Sequence, residues 1–214
     1  MPAAPPPITT APASAGTEQA SSPAITHPPS AVPLFTETGT ASWYGPPYHN
    51  RQSSNGEIYD MNAMTAAHRT LPLNSVVRVT NLRTGASTLV RITDRGPFVE
   101  GRIIDLSLAA AKAIDVWRPG TAAVQLEVMD VPVPLESGGR WCVQIGAFHE
   151  RRTAEDLRER LSRRYATAKI LDFSSPIGDW WVRVRVPDDD RARAEEITRD
   201  AHPDEGSVFL VRLD

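Results

Sequence analysis

The chain has 214 residues, of which 41% are hydrophobic, and its formal net charge is −3. This length allows one large domain or two small ones, and the sequence holds no apolar run of the ~20 residues that a membrane-spanning helix needs. The single cysteine, Cys142, excludes a disulfide scaffold and a cysteine-based zinc site, and the slightly acidic charge argues against a nucleic-acid binder held by bulk charge.

Residues 1–36 differ in composition from the rest of the chain. They are rich in Pro, Ala, Ser and Thr and contain neither Lys nor Arg. Such a segment cannot bury enough apolar area to offset the entropy of ordering it, so we predict a disordered tether. It lacks the basic and apolar regions of a signal peptide, and no cysteine near its start could carry a lipid. The chain is therefore either a shortened form of a longer exported protein or a cytosolic protein.

Residues 37–131 predict a small, mostly β domain. Strand-like sequence occurs at Gly39–Trp43, Ser75–Leu82, Ser87–Thr93 and Ala122–Met129. The second and third of these segments are joined by the turn Arg83-Thr84-Gly85, which indicates a hairpin. An alanine-rich helix is predicted over Leu106–Ile114, with Ser107 as its N-cap. A unit of this size with many short strands fits a small closed barrel.

Residues 132–139 combine prolines, glycines and a charge, as linkers do, and a second domain is predicted over residues 140–214. Its predicted elements follow the order β-α-β-β-α-β. The strands are Trp141–Ala147, Ala168–Phe173, Trp180–Val186 and Ser207–Leu213, and the helices are Arg152–Arg164 and Asp190–His202. This order predicts an antiparallel sheet backed by two helices, which is a ferredoxin-like arrangement.

Three ionisable residues of the first domain are candidates for chemistry, namely Glu57, His68 and Asp94. Alternation along the third strand puts Asp94 on the same face as Val90 and Ile92. Loss of solvation on such an apolar face would raise the pKa of this carboxyl group, which suits a general acid. The alternative is a structural turn, because Asp-Arg-Gly-Pro is a good turn sequence whatever its function.

The remaining candidates are ambiguous by themselves. Glu57 follows an Asn-Gly turn, where a solvated acid is ordinary, and His68 follows two alanines, where a structural histidine is the alternative. The aromatic residues Trp43, Tyr44 and Tyr48 lie beside two prolines. They can form a ledge on which sugar rings stack, or they can belong to the core.

A series of ordered motifs runs through residues 39–115. They are GTASWYG at 39–45, SNGEIYDM at 54–61, TAAH at 65–68, VRVTNL at 77–82, DRGPF at 94–98 and RIIDLS at 102–107. Together they closely resemble the rare lipoprotein A (RlpA) family. The resemblance implies a six-stranded double-psi β-barrel, a fold shared with expansins and some glycan-cleaving enzymes.

The resemblance further implies an endolytic lytic transglycosylase, a carbon–oxygen lyase that acts on peptidoglycan. Such an enzyme cleaves the MurNAc–GlcNAc β-1,4 bond without water and leaves a 1,6-anhydroMurNAc end, on strands that lack stem peptides. Glu57, His68 and Asp94 lie at functional positions of the family. We expect Asp94 to act first as acid and then as base, Glu57 to stabilise the developing positive charge or share the base role, and His68 to position the sugar or a carboxylate.

Further substrate contacts are expected from Trp43, Tyr44, Asn55, Arg95 and Asp105. The alternatives to the enzyme are a non-catalytic, expansin-like binding protein and a septal scaffold, since a barrel of this kind can keep an aspartate and cleave nothing. Analysis of the glycan products would separate these alternatives.

Residues 140–214 resemble a SPOR domain, a peptidoglycan-binding module, through WCVQIGAF at 141–148 and WVRV at 181–184. Alternation puts Trp181 and Arg183 on the face of the sheet that points away from the helices. We predict a solvent-facing glycan-binding surface, on which rings stack against sugars and planar guanidinium groups donate hydrogen bonds. Its residues are Gln144, Trp181, Arg183 and Val211. The alternative is a solvated face with snorkelling arginines.

No metal or cofactor is expected, because the five histidines show no ligand spacing. The expected partners are denuded peptidoglycan strands and proteins of the division septum, and nucleic acid is not among them. Contact with a membrane would need an N-terminal anchor that this chain does not show. The expected location is the periplasm or cell envelope, at the septum, without a visible signal peptide or lipobox.

Overall fold

Short strands joined by tight turns dominate the first half of the chain. The computed structural model describes residues 32–174 and 178–214, and the predicted tether falls outside them except for residues 32–36. The elements of the first half are β1 (Phe35–Trp43), β2 (Thr65–His68), β3 (Val76–Asn81), β4 (Ser87–Asp94), β5 (Arg102–Leu106), α1 (Leu108–Ala113) and β6 (Ala122–Asp130). Strand β1 begins at residue 35, two residues before the predicted start of the barrel.

The six strands close into a barrel in the order β1-β5-β2-β4-β3-β6. The pairs β1–β5 and β2–β4 are parallel and the other pairs are antiparallel. Alternate residues of each strand, such as Val77, Val79 and Val90, are fully buried inside it. The prediction of a six-stranded barrel is therefore confirmed.

Two barrel strands carry no strand signal in the sequence analysis. Strand β2 has four residues that are all buried, so no polar–apolar alternation marks it. Strand β5 overlaps the predicted start of the helix, which begins instead at Leu108. Ser107 is the N-cap as predicted, because its Oγ accepts a hydrogen bond from the Ala110 amide at 3.1 Å.

A β-bulge in β4 overturns the predicted orientation of Asp94. Ala66 of β2 pairs with Ile92, but the next residue, Ala67, pairs with Asp94, so β4 has one extra residue at this step. Ala66 and Ile92 are both fully buried in the barrel core. Asp94 is therefore shifted to the opposite face, which it shares with Ala67, and it does not lie on the apolar face of Val90 and Ile92.

The second half of the chain forms a four-stranded antiparallel sheet with the strand order β10-β7-β9-β8. Its elements are β7 (Trp141–Phe148), α2 (Arg151–Arg164), β8 (Lys169–Ser174), β9 (Trp180–Arg185), α3 (Arg191–Asp200) and β10 (Ser207–Arg212). The apolar residues Val143, Ile145, Val182 and Val184 pack with both helices. The predicted β-α-β-β-α-β order is confirmed. None of the described helices is long and apolar enough to cross a membrane.

The other face of this sheet is covered by the barrel. Phe98, in the barrel loop after β4, lies with its ring centroid 5.3 Å from that of Trp181 and 5.8 Å from that of Phe209. As a result Trp181 is only 6% exposed and Gln144 only 2%. The prediction that this face points into solvent is wrong, because alternation along a strand assigns side chains to a face but does not say what covers that face.

Candidate active site

A cleft of about 520 Å³ lies between the barrel and the C-terminal sheet. The barrel contributes aromatic, acidic and basic side chains, among them Tyr44, Tyr48, Ser54, Tyr59, Asp94, Arg102 and Asp105. The C-terminal half contributes Gln144, Ala147, Phe173, Ser174, Asp179, Trp181 and Arg183. A concave site with aromatic walls and a few convergent polar groups is the usual form of a small-ligand or glycan site.

Asp94 is held firmly at the wall of this cleft. Its Oδ1 accepts hydrogen bonds from the Ser54 amide at 3.0 Å, the Ser54 hydroxyl at 2.5 Å and the Arg95 amide at 2.8 Å. The loop that carries Ser54 is itself tied to the bulge, since the Asn55 amide donates to the Thr93 carbonyl at 3.1 Å. The bulge and this loop therefore fix the carboxylate through one oxygen, and within the described residues no hydrogen bond uses the other.

A second aspartate, Asp105, lies on the same face of the barrel as Asp94. Ala67 of β2 pairs with Asp94 of β4 on one side and with Asp105 of β5 on the other. In-register residues of neighbouring strands project from the same face, so all three line the cleft. Two strand spacings separate the aspartate Cα atoms by about 9–10 Å. The small side chain of Ala67 leaves the space between the two carboxyl groups open.

The environment of Asp105 favours its protonated form more than that of an exposed acid. Burial raises the pKa of Asp105, while the Ser42 hydroxyl and the Arg102 guanidinium act in the opposite direction. The Ser42 Oγ donates to one carboxyl oxygen at 2.6 Å, and an Arg102 nitrogen lies 3.4 Å from the other. A raised pKa makes this carboxyl group a better proton donor to a substrate oxygen than a solvated aspartate would be.

Glu57 does not line the cleft. Its two carboxyl oxygens receive a bidentate hydrogen bond from Arg91 at 2.9 and 2.7 Å, and the Glu57 side chain is 54% exposed. This hydrogen bond from Arg91 lowers the pKa of Glu57. Asn55, the neighbouring predicted substrate contact, accepts from the Glu57 amide and donates to Asn74. These contacts hold the loop that carries Ser54. Glu57 and Asn55 therefore affect Asp94 indirectly, by positioning the loop whose Ser54 donates to it.

His68 is buried beneath the site and does not line the cleft. Its Nδ1 accepts the main-chain amides of Thr70 and Leu71 at 3.2 and 3.1 Å, which leaves Nε2 as the donor to Glu37 at 3.2 Å in the neutral ring. Burial lowers the pKa of His68, although Glu37 opposes this shift. The carboxylate that His68 positions is thus Glu37, a residue that the sequence analysis did not single out.

Arg95 lines the cleft, but its guanidinium group is used for internal contacts. It donates to the main-chain carbonyls of His68 at 3.0 Å, Leu71 at 2.6 Å and Asp214 at 2.6 Å. Asp214 belongs to the C-terminal unit, so Arg95 joins the two halves of the chain. Burial lowers the pKa of Arg95 to about 10, which still leaves the group charged at neutral pH.

The aromatic ledge contains two of the three predicted residues. Tyr44 and Tyr48 line the cleft with their rings edge to face at 5.8 Å, and Tyr59 stacks on Tyr44 at 4.3 Å. Trp43 instead packs against the barrel core. Tyr59 is not among the predicted ledge residues, although it stands in the motif SNGEIYDM two residues after Glu57.

The predicted SPOR-type residues share one face, and three of them line the cleft. Arg183 donates to the Gln144 side-chain oxygen at 2.7 Å and lies over the ring of Phe173 at 4.8 Å. Gln144, Trp181 and Arg183 border the cleft, whereas Val211 is fully buried beneath it with Cys142 and Phe209. Phe173 carried no signal in the sequence, because only the pairing of β8 with β9 brings it beside Trp181.

Comparison with known families assigns both halves of the chain. Residues 36–126 match the family model described as lytic transglycolase, and residues 137–208 match the SPOR domain model. A solved expansin from Clavibacter michiganensis in complex with cellohexaose is 13% identical, with a TM-score of 0.38, and the match covers 72% of this chain and 81% of that one. That likeness is too low to support a conclusion.

Several curated relatives carry the same name, endolytic peptidoglycan transglycosylase RlpA. The protein from Vibrio cholerae is 61% identical over 102 residues, which is 48% of this chain and 39% of the relative. The protein from Helicobacter pylori J99 is 44% identical over 151 residues, which is 58% of this chain and 48% of the relative. The Campylobacter jejuni protein is 40% identical over 167 residues, which is 67% of this chain and 61% of the relative. The chain thus spans about two fifths to three fifths of their length.

Proposed function

Since the chain belongs to the RlpA family, with a lytic transglycolase barrel followed by a SPOR domain, we propose that it is an endolytic peptidoglycan transglycosylase. It cleaves the MurNAc–GlcNAc β-1,4 bond of glycan strands that lack stem peptides. The observation that carries this proposal is the pair of aspartates, Asp94 and Asp105, which flank Ala67 in register and border one cleft.

The reaction needs a proton donor at the glycosidic oxygen and a proton acceptor at the C6 hydroxyl of the muramoyl residue. Asp105, which burial keeps closer to its protonated form, donates the proton to the leaving oxygen as the C1–O bond breaks. Asp94 accepts the proton of the C6 hydroxyl as the hydroxyl oxygen bonds to C1. The products are a free 4-hydroxyl end and a 1,6-anhydro end, and no water is consumed. In this assignment Asp105 is the acid. Asp94, which the sequence predicted to act first as acid and then as base, acts here as the base only.

The other predicted residues support this pair. Glu57, through its ion pair with Arg91, holds the loop whose Ser54 donates to Asp94. His68, through its contact with Glu37, fixes the turn after β2. Tyr44 and Tyr48 offer ring faces to the apolar side of the sugars. The SPOR domain supports a location in the cell envelope, where the substrate lies, and placement at the septum with septal partners belongs to the same proposal.

The proposal is tested by incubating the full chain with sacculi stripped of stem peptides and measuring 1,6-anhydro ends by mass spectrometry. Asp94→Asn and Asp105→Asn should each lower the rate by about 10²–10⁴-fold, the usual contribution of a general acid or base. The matched control is Asp60→Asn, an exposed aspartate outside the cleft lining, which should keep the wild-type rate.

Two outcomes would contradict the proposal. Wild-type protein that binds denuded sacculi but releases no anhydro ends would support the non-catalytic, expansin-like alternative. An Asp94→Asn variant with the wild-type rate would leave cleavage in place but remove Asp94 from it.

A further inference from the structure

The two walls of the cleft belong to different halves of the chain, and direct contacts hold them together. The Arg212 amide of β10 donates to the Arg69 carbonyl at 2.9 Å, and the Leu73 amide donates to the Asp214 carbonyl at 3.1 Å. Phe98 fills the space between Trp181 and Phe209. Main-chain hydrogen bonds and buried aromatic contacts of this kind fix the distance and the angle between the two walls.

The wall contributed by the C-terminal sheet carries groups suited to a sugar chain. Phe173 offers an aromatic ring, over which the guanidinium of Arg183 lies at 4.8 Å. Arg183 uses one terminal nitrogen to bind Gln144, and its Nε is buried without a hydrogen-bond partner in the described part of the chain. Arg102, on the barrel wall, has an unpartnered Nε of the same kind. Buried donors without partners are rare, so each is a place for a ligand oxygen or a bound water.

We propose that the C-terminal sheet forms one wall of the catalytic groove itself, and that this docked arrangement is the active form. The inference rests on the proposed function. A single glycan strand then contacts Arg183 and Phe173 on one side while its scissile bond lies at Asp94 and Asp105 on the other. Gln144, which is buried, holds the Arg183 guanidinium in place. The SPOR-type face thereby also takes part in substrate recognition at the point of cleavage.

This arrangement also gives a physical reason why the substrate strands should lack stem peptides. A barrel with an open face would accept a glycan with side chains pointing outward. The second wall stands opposite that face and turns it into a groove, so stem peptides on the bound sugars would meet the sheet. We therefore assign selectivity for bare strands to the docked sheet.

A cross-link tests whether the docked form is active. The Ser207 hydroxyl of β10 donates to Glu100 of the barrel at 3.0 Å, and neither residue lines the cleft. The double variant Glu100→Cys and Ser207→Cys is joined with a short bis-maleimide, and the control is the same protein capped with N-ethylmaleimide. Cys142 is buried, and burial raises the pKa of its thiol to about 11, so it stays unmodified.

The cross-linked and capped proteins should release anhydro ends from denuded glycan at rates within about twofold of each other. A loss of more than tenfold on cross-linking, with an active capped control, would overturn the inference and show that the sheet must leave the barrel. If neither form releases anhydro ends, the proposed function itself fails.

A substitution on the sheet wall tests the substrate contact. Arg183→Ala should raise KM on soluble denuded glycan at least tenfold, with a smaller change in kcat, in protein that remains folded at the assay temperature. The matched control is Arg185→Ala, two residues along the same strand and outside the cleft lining, which should leave KM within twofold. An unchanged KM for Arg183→Ala would contradict a role of the sheet in binding the cleaved segment.

Discussion

At the scale of single residues, burial separates the candidate side chains into those that can meet a substrate and those that support the site. His68 is 4% exposed, and both of its ring nitrogens are used by the turn after β2 and by Glu37. His68 therefore supports the site by holding the turn after β2 and Glu37 in place. The neutral state of its ring matters, because a proton on Nδ1 would remove the acceptor of the Thr70 and Leu71 amides.

This burial predicts a pH dependence of stability. Burial lowers the pKa of His68 in the folded protein below its usual value of 6.5. Below pH 6.5 the unfolded chain therefore binds more protons at this residue than the folded chain does, and the free energy of unfolding decreases as the pH falls. Among the charged neighbours, Glu37 raises the pKa of His68 whereas Arg69 and Arg95 lower it, and the net shift remains downward.

The variant His68→Asn tests the origin of this slope. The Asn oxygen can accept the two main-chain amides, but the contact with Glu37 is lost, so the variant should be about 1–3 kcal/mol less stable at pH 7. Its stability should change less between pH 7 and pH 5 than that of the wild type, as measured by urea unfolding. His202→Asn, at an exposed position, should keep the wild-type slope, and an unchanged slope in His68→Asn would contradict the assignment.

At the scale of elements, the bulge in β4 decides which carboxyl groups face the same cleft. Without the extra residue, Asp94 would continue the core face of Val90 and Ile92. With it, Asp94 and Asp105 stand on either side of Ala67. A bulge commonly redirects a side chain next to an active site. Here the expected pair of Glu57 and Asp94 is replaced by Asp94 of β4 and Asp105 of β5, on either side of β2.

The end of β5 is held by Ser107. Its hydroxyl donates to the Ala63 carbonyl at 2.6 Å and accepts the Ala110 amide at 3.1 Å. Asp105 lies two residues before it, so the cap of α1 also fixes the strand that carries this carboxyl group.

Removing this cap should affect stability in a predictable way. Ser107→Ala should lower the free energy of unfolding by about 1–2 kcal/mol, because a capping interaction is lost and the Ala63 carbonyl loses its donor. Urea unfolding of the full chain measures this change. Ser87→Ala, at an exposed position on β4, should stay within about 0.5 kcal/mol of the wild type. A Ser107→Ala variant as stable as that control would exclude the cap as a source of stability.

At the scale of the whole molecule, the two halves share one apolar contact and one cleft. The contact is the cluster of Phe98, Trp181 and Phe209, with Cys142 and Val211 beneath it. Gly146 belongs to this packing as well, since a Cβ at that position would lie 2.6 Å from the Trp181 ring. The docking of the halves therefore depends on tight packing at the edge of the cleft.

Energetic coupling across this contact can be measured directly. The variants Phe98→Ala and Trp181→Ala remove rings from different halves, and aromatic pairs contribute about 0.5–1.5 kcal/mol beyond the area that they bury. A double-mutant cycle on unfolding free energies should give a coupling of that size. The control cycle pairs Trp181→Ala with Leu82→Ala, an exposed barrel residue, and should be additive. Zero coupling between residues 98 and 181 would show that the halves do not dock in solution.

The sequence alone determined the features that depend on neighbours along the chain. Alternation gave most strands and the division of the C-terminal sheet into two faces, the cap at Ser107 followed from residue type, and the ordered motifs indicated the family. Tertiary structure decided where those faces and side chains lie. The bulge at Asp94, the strand β2 and the cover over Trp181 arise from pairing and packing with residues distant in the chain, and local patterns carry no information about such partners.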